Sequence, residues 1–219
     1  MKKIALSWSG GKDSLMALLA LEAEADIEIC GLVTTVTDPQ QRISMHGIRE
    51  TLLDAQARSL GLPLTKCRLP PAPDNAIYHE LFSEALAPLA EAGTVGVAFG
   101  DLFLSDVREF REEQMRALRL EALFPIWQTP TAELAGDFIG QGYRAIVCCV
   151  DATQLSPEFL GRDYDGALLE EFPEAVDPCG EHGEFHTFVR TGPRFGATIP
   201  VTRGQSHISD SRFHFIDLA

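Results

Sequence analysis

Short apolar runs alternate with longer stretches of helical spacing along the first two thirds of the chain. Ile4–Trp8 is a short apolar run that opens directly onto glycines. Such a run, bounded by a turn signal, predicts a buried strand. Lys12–Ala25 is rich in Leu and Ala and free of Pro and Gly, as a helix requires. Ile27–Val36 predicts a second buried strand closed by Asp38-Pro39, and Ile48–Leu60 a second helix stopped by Gly61. Leu62–Leu69 reads as a short strand, Ala76–Ala92 as a helix ended by Gly93, and Val95–Gly100 as the next strand. Asp106–Ala122 and Thr131–Gly140 follow as helices and Ala145–Val150 as a fifth buried strand. Repeated strand–helix units with strands apolar on both faces imply an α/β fold, a parallel sheet covered by helices.

The texture changes after Asp151, where Pro, Gly and aromatic residues become frequent and Phe195–Ala219 shows short alternating runs without a helix. The expected organisation is a nucleotide-binding domain over residues 1–150 and a smaller C-terminal lobe over 151–219 that completes the substrate site. The composition, 45% hydrophobic and 23% charged, supports a sizeable core. A net charge of −14 argues against a nucleic-acid partner, which would select clustered Lys and Arg. No stretch approaches the 18 or so apolar residues of a membrane span, and the run after Met1-Lys2-Lys3 stops too early for a signal peptide. Five cysteines without a repeated spacing fit reduced thiols, so a cytoplasmic protein is expected.

The densest chemistry lies in Ser9-Gly10-Gly11-Lys12-Asp13-Ser14, between the first strand and the first helix. An open parallel sheet binds ligands at that point. The glycines allow close approach of backbone to an anion, the helix start presents unpaired N–H groups, and Ser9, Ser14 and Lys12 add donors and a mobile positive charge. Phosphate is the ligand this loop suits. It is not a Walker A loop, because Leu6 stands where that motif has its first Gly and Asp13 where it has Ser or Thr.

SGGKDS resembles the PP-loop of the N-type ATP pyrophosphatases, whose fold is a five-stranded parallel sheet of the adenine nucleotide α-hydrolase (HUP, Rossmann-like) type. Those enzymes cleave the α–β bond of ATP and adenylate a substrate. The resemblance implies that Ser9–Ser14 hold the β- and γ-phosphates, that the backbone at Leu32, Val33 and Thr34 meets adenine, and that Asp13 helps to place Mg²⁺. The loop alone leaves thiolation enzymes, amidotransferase-type synthetases and sulfate-reducing enzymes open. Phe99-Gly100-Asp101, Leu104–Arg111, Pro125-Ile126-Trp127 and Asp177–Phe188 (DPCGEHGEFHTF) follow in an order that resembles the diphthine–ammonia ligase family over nearly the whole chain. For that family the reaction activates a carboxylate, in a substrate such as a modified protein, as an acyl-adenylate. Ammonia then attacks, giving an amide, AMP and pyrophosphate.

Within that resemblance Lys12, Asp101, Arg111, Glu184 and His186 are expected to serve catalysis. Gly100 is expected at the nucleotide, and Arg108, Arg111, Gly180, Glu181, Glu184 and Thr187 at the substrate. Arg111 falls on the apolar face of its helix, between Leu118 and Ala122, and a buried Arg needs a carboxylate or phosphate; a structural ion pair is the alternative. Glu184 and His186 share one face if Glu184–Val189 is a strand, which suits proton transfer from ammonium; a hydrogen-bonded turn is the alternative. Cys179, His182 and His186 supply three zinc-type ligands without a fourth, in a segment that is not a helix, so metal is not expected there. His46 carries no assigned role. A homodimer is the default expectation. Two other readings stay open: an RNA-modifying enzyme of the thiolation type, and a nucleotide-binding regulatory module without turnover.

Overall fold

The computed structural model describes residues 1–43 and 46–219. The first half of the chain runs β1 (Lys2–Ser7), α1 (Lys12–Glu22), β2 (Ile27–Thr37), β3 (Arg42–Ile43), α2 (Glu50–Leu60), β4 (Leu64–Leu69), α3 (Asn75–Glu91) and β5 (Thr94–Ala98). It continues with α4 (Ser105–Ala117), β6 (Glu121–Leu123), α5 (Thr131–Gly140), β7 (Arg144–Asp151), β8 (Asp163–Tyr164), α6 (Gly166–Glu171), β9 (Phe185–Thr191), β10 (Arg203–Ser209) and β11 (Phe213–Leu218).

One compact unit comprises Met1–Ser9, Asp13–Gln41 and Leu62–Gln128. Within this unit five of the six strands of the sheet run parallel, in the order β4-β2-β1-β5-β6. The chain builds outward from β1 through β2 to β4, then returns to place β5 on the other side of β1. The loops leaving β1 and β5 therefore diverge, which opens a ligand crevice at their carboxyl ends. Ala5, Val33 and Val97 on this sheet pack against Phe82 and Leu86 of α3 and Met115 of α4. α3 starts where Asp74 accepts a hydrogen bond from the Ile77 amide (2.8 Å), one of the first-turn donors that a helix cannot satisfy itself.

The fifth parallel strand is not the one expected. It is β6, whose Glu121–Leu123 pair with Gly96–Ala98. The helix expected over Asp106–Ala122 ends at Ala117 because Arg119 turns into the left-handed region (φ 58°), which no helix continues through. A three-residue strand is too short for a period of two to show beside a helical pattern.

The second unit comprises Gly10–Lys12, Arg42–Gly61 and Thr129–Ala219. The run expected as the last parallel strand is here β7, the centre of an antiparallel sheet. β9 pairs along one of its edges, while β11 and β8 share the other. A continuously apolar strand reads alike in a covered parallel sheet and at the middle of a covered antiparallel one; only the pairing tells them apart. The tail forms the β10–β11 hairpin, turning at Asp210 (φ 52°) and Ser211 (φ 55°) as a tight right-twisted hairpin requires. α2 ends as expected at Gly61 (φ 69°), whose N–H reaches the Ala57 and Arg58 carbonyls.

Candidate active site

Gly10 adopts φ +80°, and a Cβ there would sit 2.8 Å from Gln56 Oε1 and 2.9 Å from Leu53 Cδ2. Gln56, wholly buried on α2, donates from Nε2 to the carbonyls of Gly10 (3.0 Å) and Val189 (2.6 Å). The Val189 amide donates to Gly10 O as well (2.9 Å). The glycine pair is thus fastened by α2 and β9. Gln56 was missed from sequence, yet a signal existed: it is the one polar residue among the buried positions Leu52, Leu53, Gln56, Ala57 and Leu60 of α2. On the first unit's side of the loop, Ser9 Oγ donates to Ser14 Oγ (3.3 Å).

Lys12 departs from the expected mobile charge. Its side chain is buried, Nζ donates to the Cys179 carbonyl, and the ammonium lies 5.7 Å from the Tyr164 ring centre and 5.4 Å from that of Phe185. Its amide, at the start of α1, donates to Thr187 Oγ1 (3.1 Å), so Thr187 sits on the loop rather than facing substrate alone. A helix amide left without an internal acceptor is satisfied here by a side chain of β9.

Glu184 lies just before β9, outside the strand expected over Glu184–Val189. The buried carboxylate accepts from the amides of Asp177 (2.9 Å, Oε1) and His182 (2.9 Å, Oε2). Asp177 in turn accepts from the Cys179 amide (2.7 Å), the Glu181 amide (3.3 Å) and Thr131 Oγ1 (2.7 Å). Gly180 (φ +69°) has no room for a side chain, since a Cβ would lie 2.6 Å from Phe185 O. The two carboxylates hold the loop that brings the Cys179 carbonyl to Lys12. Glu184 thus serves at least to hold this loop. Cys179 Sγ donates to Thr131 O (3.2 Å), and among the described residues no group of three His, Cys, Asp or Glu is arranged to hold a metal.

His186 stacks on His46 with ring centres 4.4 Å apart. Burial holds His186 down at about 4, helped by the charge of Lys12. Burial also holds His46 well below the usual imidazole value, with His186 and Lys12 adding to the effect and a hydrogen bond to the Thr187 backbone opposing it. His46 Nδ1 is buried without a hydrogen-bond partner. Both rings are neutral at pH 7, able to accept a proton. The unfolded chain binds protons near pH 6.5 that the folded chain excludes, so stability is full above about 6.5 and falls as the pH drops toward 4. Tm is expected to decline across that interval, and His186→Gln to flatten the decline measured by calorimetry. An unchanged slope in the variant would count against neutral burial.

In the first unit the end of β5 presses on the start of α1. A Cβ on Gly100 would lie 3.0 Å from the carbonyl carbon and oxygen of Asp13 and 3.1 Å from Ser14 N. Asp101 follows. Burial pushes its carboxyl up, Arg111 opposes this and the charge of Asp13 adds to it. Asp101 Oδ2 is buried with no hydrogen-bond partner, 4.0 Å from Arg111 Nε. Arg111 does not point into bulk solvent: Nη1 donates to Tyr78 OH (3.0 Å) and the guanidinium lies over the Phe99 ring (5.0 Å). Arg108 is engaged elsewhere, paired with Glu112 (2.8 Å) and stacked on Phe124 and Trp127. The side chains of Leu32 and Val33 are fully buried, the Leu32 amide bonds Pro63 O (2.8 Å) and the Val33 carbonyl accepts from Trp8 N (2.7 Å). Thr34 is different, with a buried Oγ1 that lacks a partner.

The parallel sheet, its strand order and the glycine loop leading from β1 into α1 define a Rossmann-like α/β protein of the adenine nucleotide α-hydrolase type. More narrowly, the chain belongs to the diphthamide synthase family: the N-terminal domain of that family matches residues 1–116 and the C-terminal domain residues 130–216. The diphthine–ammonia ligase of Mus musculus is 27% identical over 95% of this chain and 87% of its own length. That of Danio rerio is 27% identical over 94% of this chain and 89% of its own. The Homo sapiens protein is likewise 27% identical, over 91% and 82%. Among the described residues no helix is long and apolar enough to cross a membrane.

Proposed function

We propose that this chain is an ATP-dependent ligase that cleaves ATP to AMP and pyrophosphate, activating a carboxylate and amidating it with ammonia; its relatives are named diphthine–ammonia ligases. The observation that carries the proposal is the glycine turn between β1 and α1, fastened from behind by Gln56 and Val189 in a chain of this family. A turn held that rigidly presents amides and a helix start to phosphate without having to be ordered on binding. Ser9, Gly10, Gly11 and Ser14 take the β- and γ-phosphates; the Thr34 hydroxyl faces the nucleoside. Lys12 acts from a fixed position, a buried positive charge that stabilises the loop against the anion.

Asp13 and Asp101 fit a Mg²⁺ site. Mg²⁺ is held by one or two carboxylates together with substrate phosphates. Asp101 has a buried oxygen without a hydrogen-bond partner, and burial, with the charge of Asp13 adding to it and Arg111 opposing, pushes its carboxyl up, so a cation bridging the two aspartates would be favourable. When bound there, the ion supplies charge neutralisation of the phosphate oxygens. Thr187 holds the Lys12 amide of the loop and His186 belongs to the imidazole pair, where a neutral ring takes the proton that ammonia loses on attack.

The thiolation reading asks for reactive thiols. Burial pushes Cys67 up to about 11 and Cys149 to about 12, and Cys148 is also raised well above its ordinary value. Such thiols are inert at neutral pH, which favours the ligase. The reduced state of all five cysteines suits the cytosol. The test is product analysis with ATP, Mg²⁺, ammonium and a diphthine-bearing acceptor. AMP and pyrophosphate are expected, and Asp101→Asn should slow their release about 10²-fold or more while leaving the fold intact. Formation of ADP and phosphate instead would overturn the proposal.

A further inference from the structure

The first unit carries a cleft of about 410 Å³ between the opening turns of α3 and α4. Pro73, Tyr78, Val107 and Phe110 give it apolar walls, Arg111 stands at one side and Asp106 at another. Arg111 is held in place but not satisfied. A guanidinium has five N–H donors, and among the described residues its one hydrogen bond is to Tyr78 OH (3.0 Å). The Phe99 and Phe110 rings fix its plane at 5.0 and 5.9 Å, and Nε is buried with Asp101 Oδ2 no nearer than 4.0 Å. A cation fixed in orientation with donors to spare is prepared for a planar, bidentate acceptor.

We propose that this cleft seats the carboxylate that is to be activated, as a monocarboxylate on an apolar stem. The inference rests on the ligase reading and names the place and chemistry of its second substrate. A single carboxylate matches the one guanidinium, and the stem lies along Tyr78, Val107 and Phe110. A phosphate monoester is disfavoured, because its second negative charge would meet Asp101 and Asp106 with no further cation lining the cleft. Arg111 thus selects for an anion, and the two aspartates select against a doubly charged one.

The experiment titrates 4-phenylbutyrate and phenyl phosphate separately into the full chain and follows binding by ligand-observed NMR. Phenylbutyrate is expected to bind, and Arg111→Ala to weaken it by about tenfold or more, the loss of one charge-assisted bidentate contact. Val107→Trp, which leaves every charge in place and fills the cleft, should do the same. Phenyl phosphate should bind more weakly, and Asp106→Asn should narrow the gap. Equal affinity in the wild-type, Arg111→Ala and Val107→Trp proteins, or no binding by a wild-type chain with a normal Tm, would overturn the inference. Failure of the ligase reading looks different: phenylbutyrate binding would still depend on Arg111 while ATP was converted to ADP and phosphate. Should AMP and pyrophosphate form with the acceptor undiminished in Arg111→Ala, this inference falls and the ligase reading stands.

Discussion

Gly100→Ala is expected to remove about 99% of the ATP-dependent turnover while leaving the chain folded. The added methyl would stand 3.0 Å from the backbone carbon and oxygen of Asp13 and 3.1 Å from Ser14 N. Those atoms belong to the first turn of α1 and cannot swing aside as a flexible side chain would. Either β5's exit loop or the start of the helix must shift, at a cost typical of overpacking, about 1–3 kcal/mol. The helix start is where phosphate is to be held, and a displacement of about 1 Å at such a point costs about 10²-fold in rate. Steady-state kinetics together with a denaturant midpoint would separate the two effects. Gly136→Ala is the control: it lies within α5 with nothing within 4 Å of its added Cβ, so it should be stabilising by about 0.5–1 kcal/mol. Full activity in Gly100→Ala would mean that the β5 exit and the loop are not mechanically coupled.

The largest effect on stability is expected from Arg212→Ala, a clear drop in the urea midpoint at pH 7. Asp151 ends β7 with its side chain wholly buried. Arg212 donates to it with Nε (2.9 Å, to Oδ1) and Nη2 (to Oδ2), Thr153 with its amide (3.0 Å) and hydroxyl (2.7 Å), and Gln154 with Nε2 (2.8 Å). Arg212 is itself 48% exposed while Asp151 is wholly buried, so removing the arginine leaves a buried carboxylate with fewer donors, a loss moderated by Thr153, Gln154 and the water that reaches the vacated position. In the Arg162–Glu171 pair both partners are exposed, 36% and 54%, so no buried charge is left behind and Arg162→Ala should move the midpoint much less. Arg212, and less strongly Thr153 and Gln154, hold the Asp151 carboxyl well below its usual range. The stability this contributes is present above the unfolded value of about 3.9 and is lost as the pH falls below it. Urea titrations at pH 7 and pH 3 should therefore show a gap between wild-type and Arg212→Ala that shrinks on acidification. A gap constant with pH would refute the charge-based account.

Several features were legible in the residue order because they depend on near neighbours. The glycine turn after an apolar run, the helix that follows it, and the C-terminal stop at Gly61 each rest on local backbone preferences. Arg111's position on an otherwise apolar face was enough to predict that it needed a partner, and it meets Tyr78 and Asp101. Other features depend on partners that lie far away in the chain. Glu184 is 2.9 Å from amides that a Gly-rich turn brings to it, contacts that its strand-like surroundings in sequence do not announce. Lys12 looked mobile because nothing beside it in sequence restrains it; its restraint, the Cys179 carbonyl, lies 167 residues away.

The sequence by itself determined the alternation of strands and helices, the place of the phosphate-type loop and the absence of any repeated cysteine framework. Those are properties of turns, caps and periodicity, all settled within a few residues. Tertiary structure decided which apolar strand joined which sheet, sending Ala145–Val150 to the antiparallel sheet and giving its expected place to the three residues of β6. It also decided that His46 and His186 would stack and that Gln56 would hold the loop. The physical reason is the same in each case. Strand pairing and burial of polar groups depend on contacts between distant parts of the chain, and an apolar run or a lone polar residue carries no record of which partner it will meet.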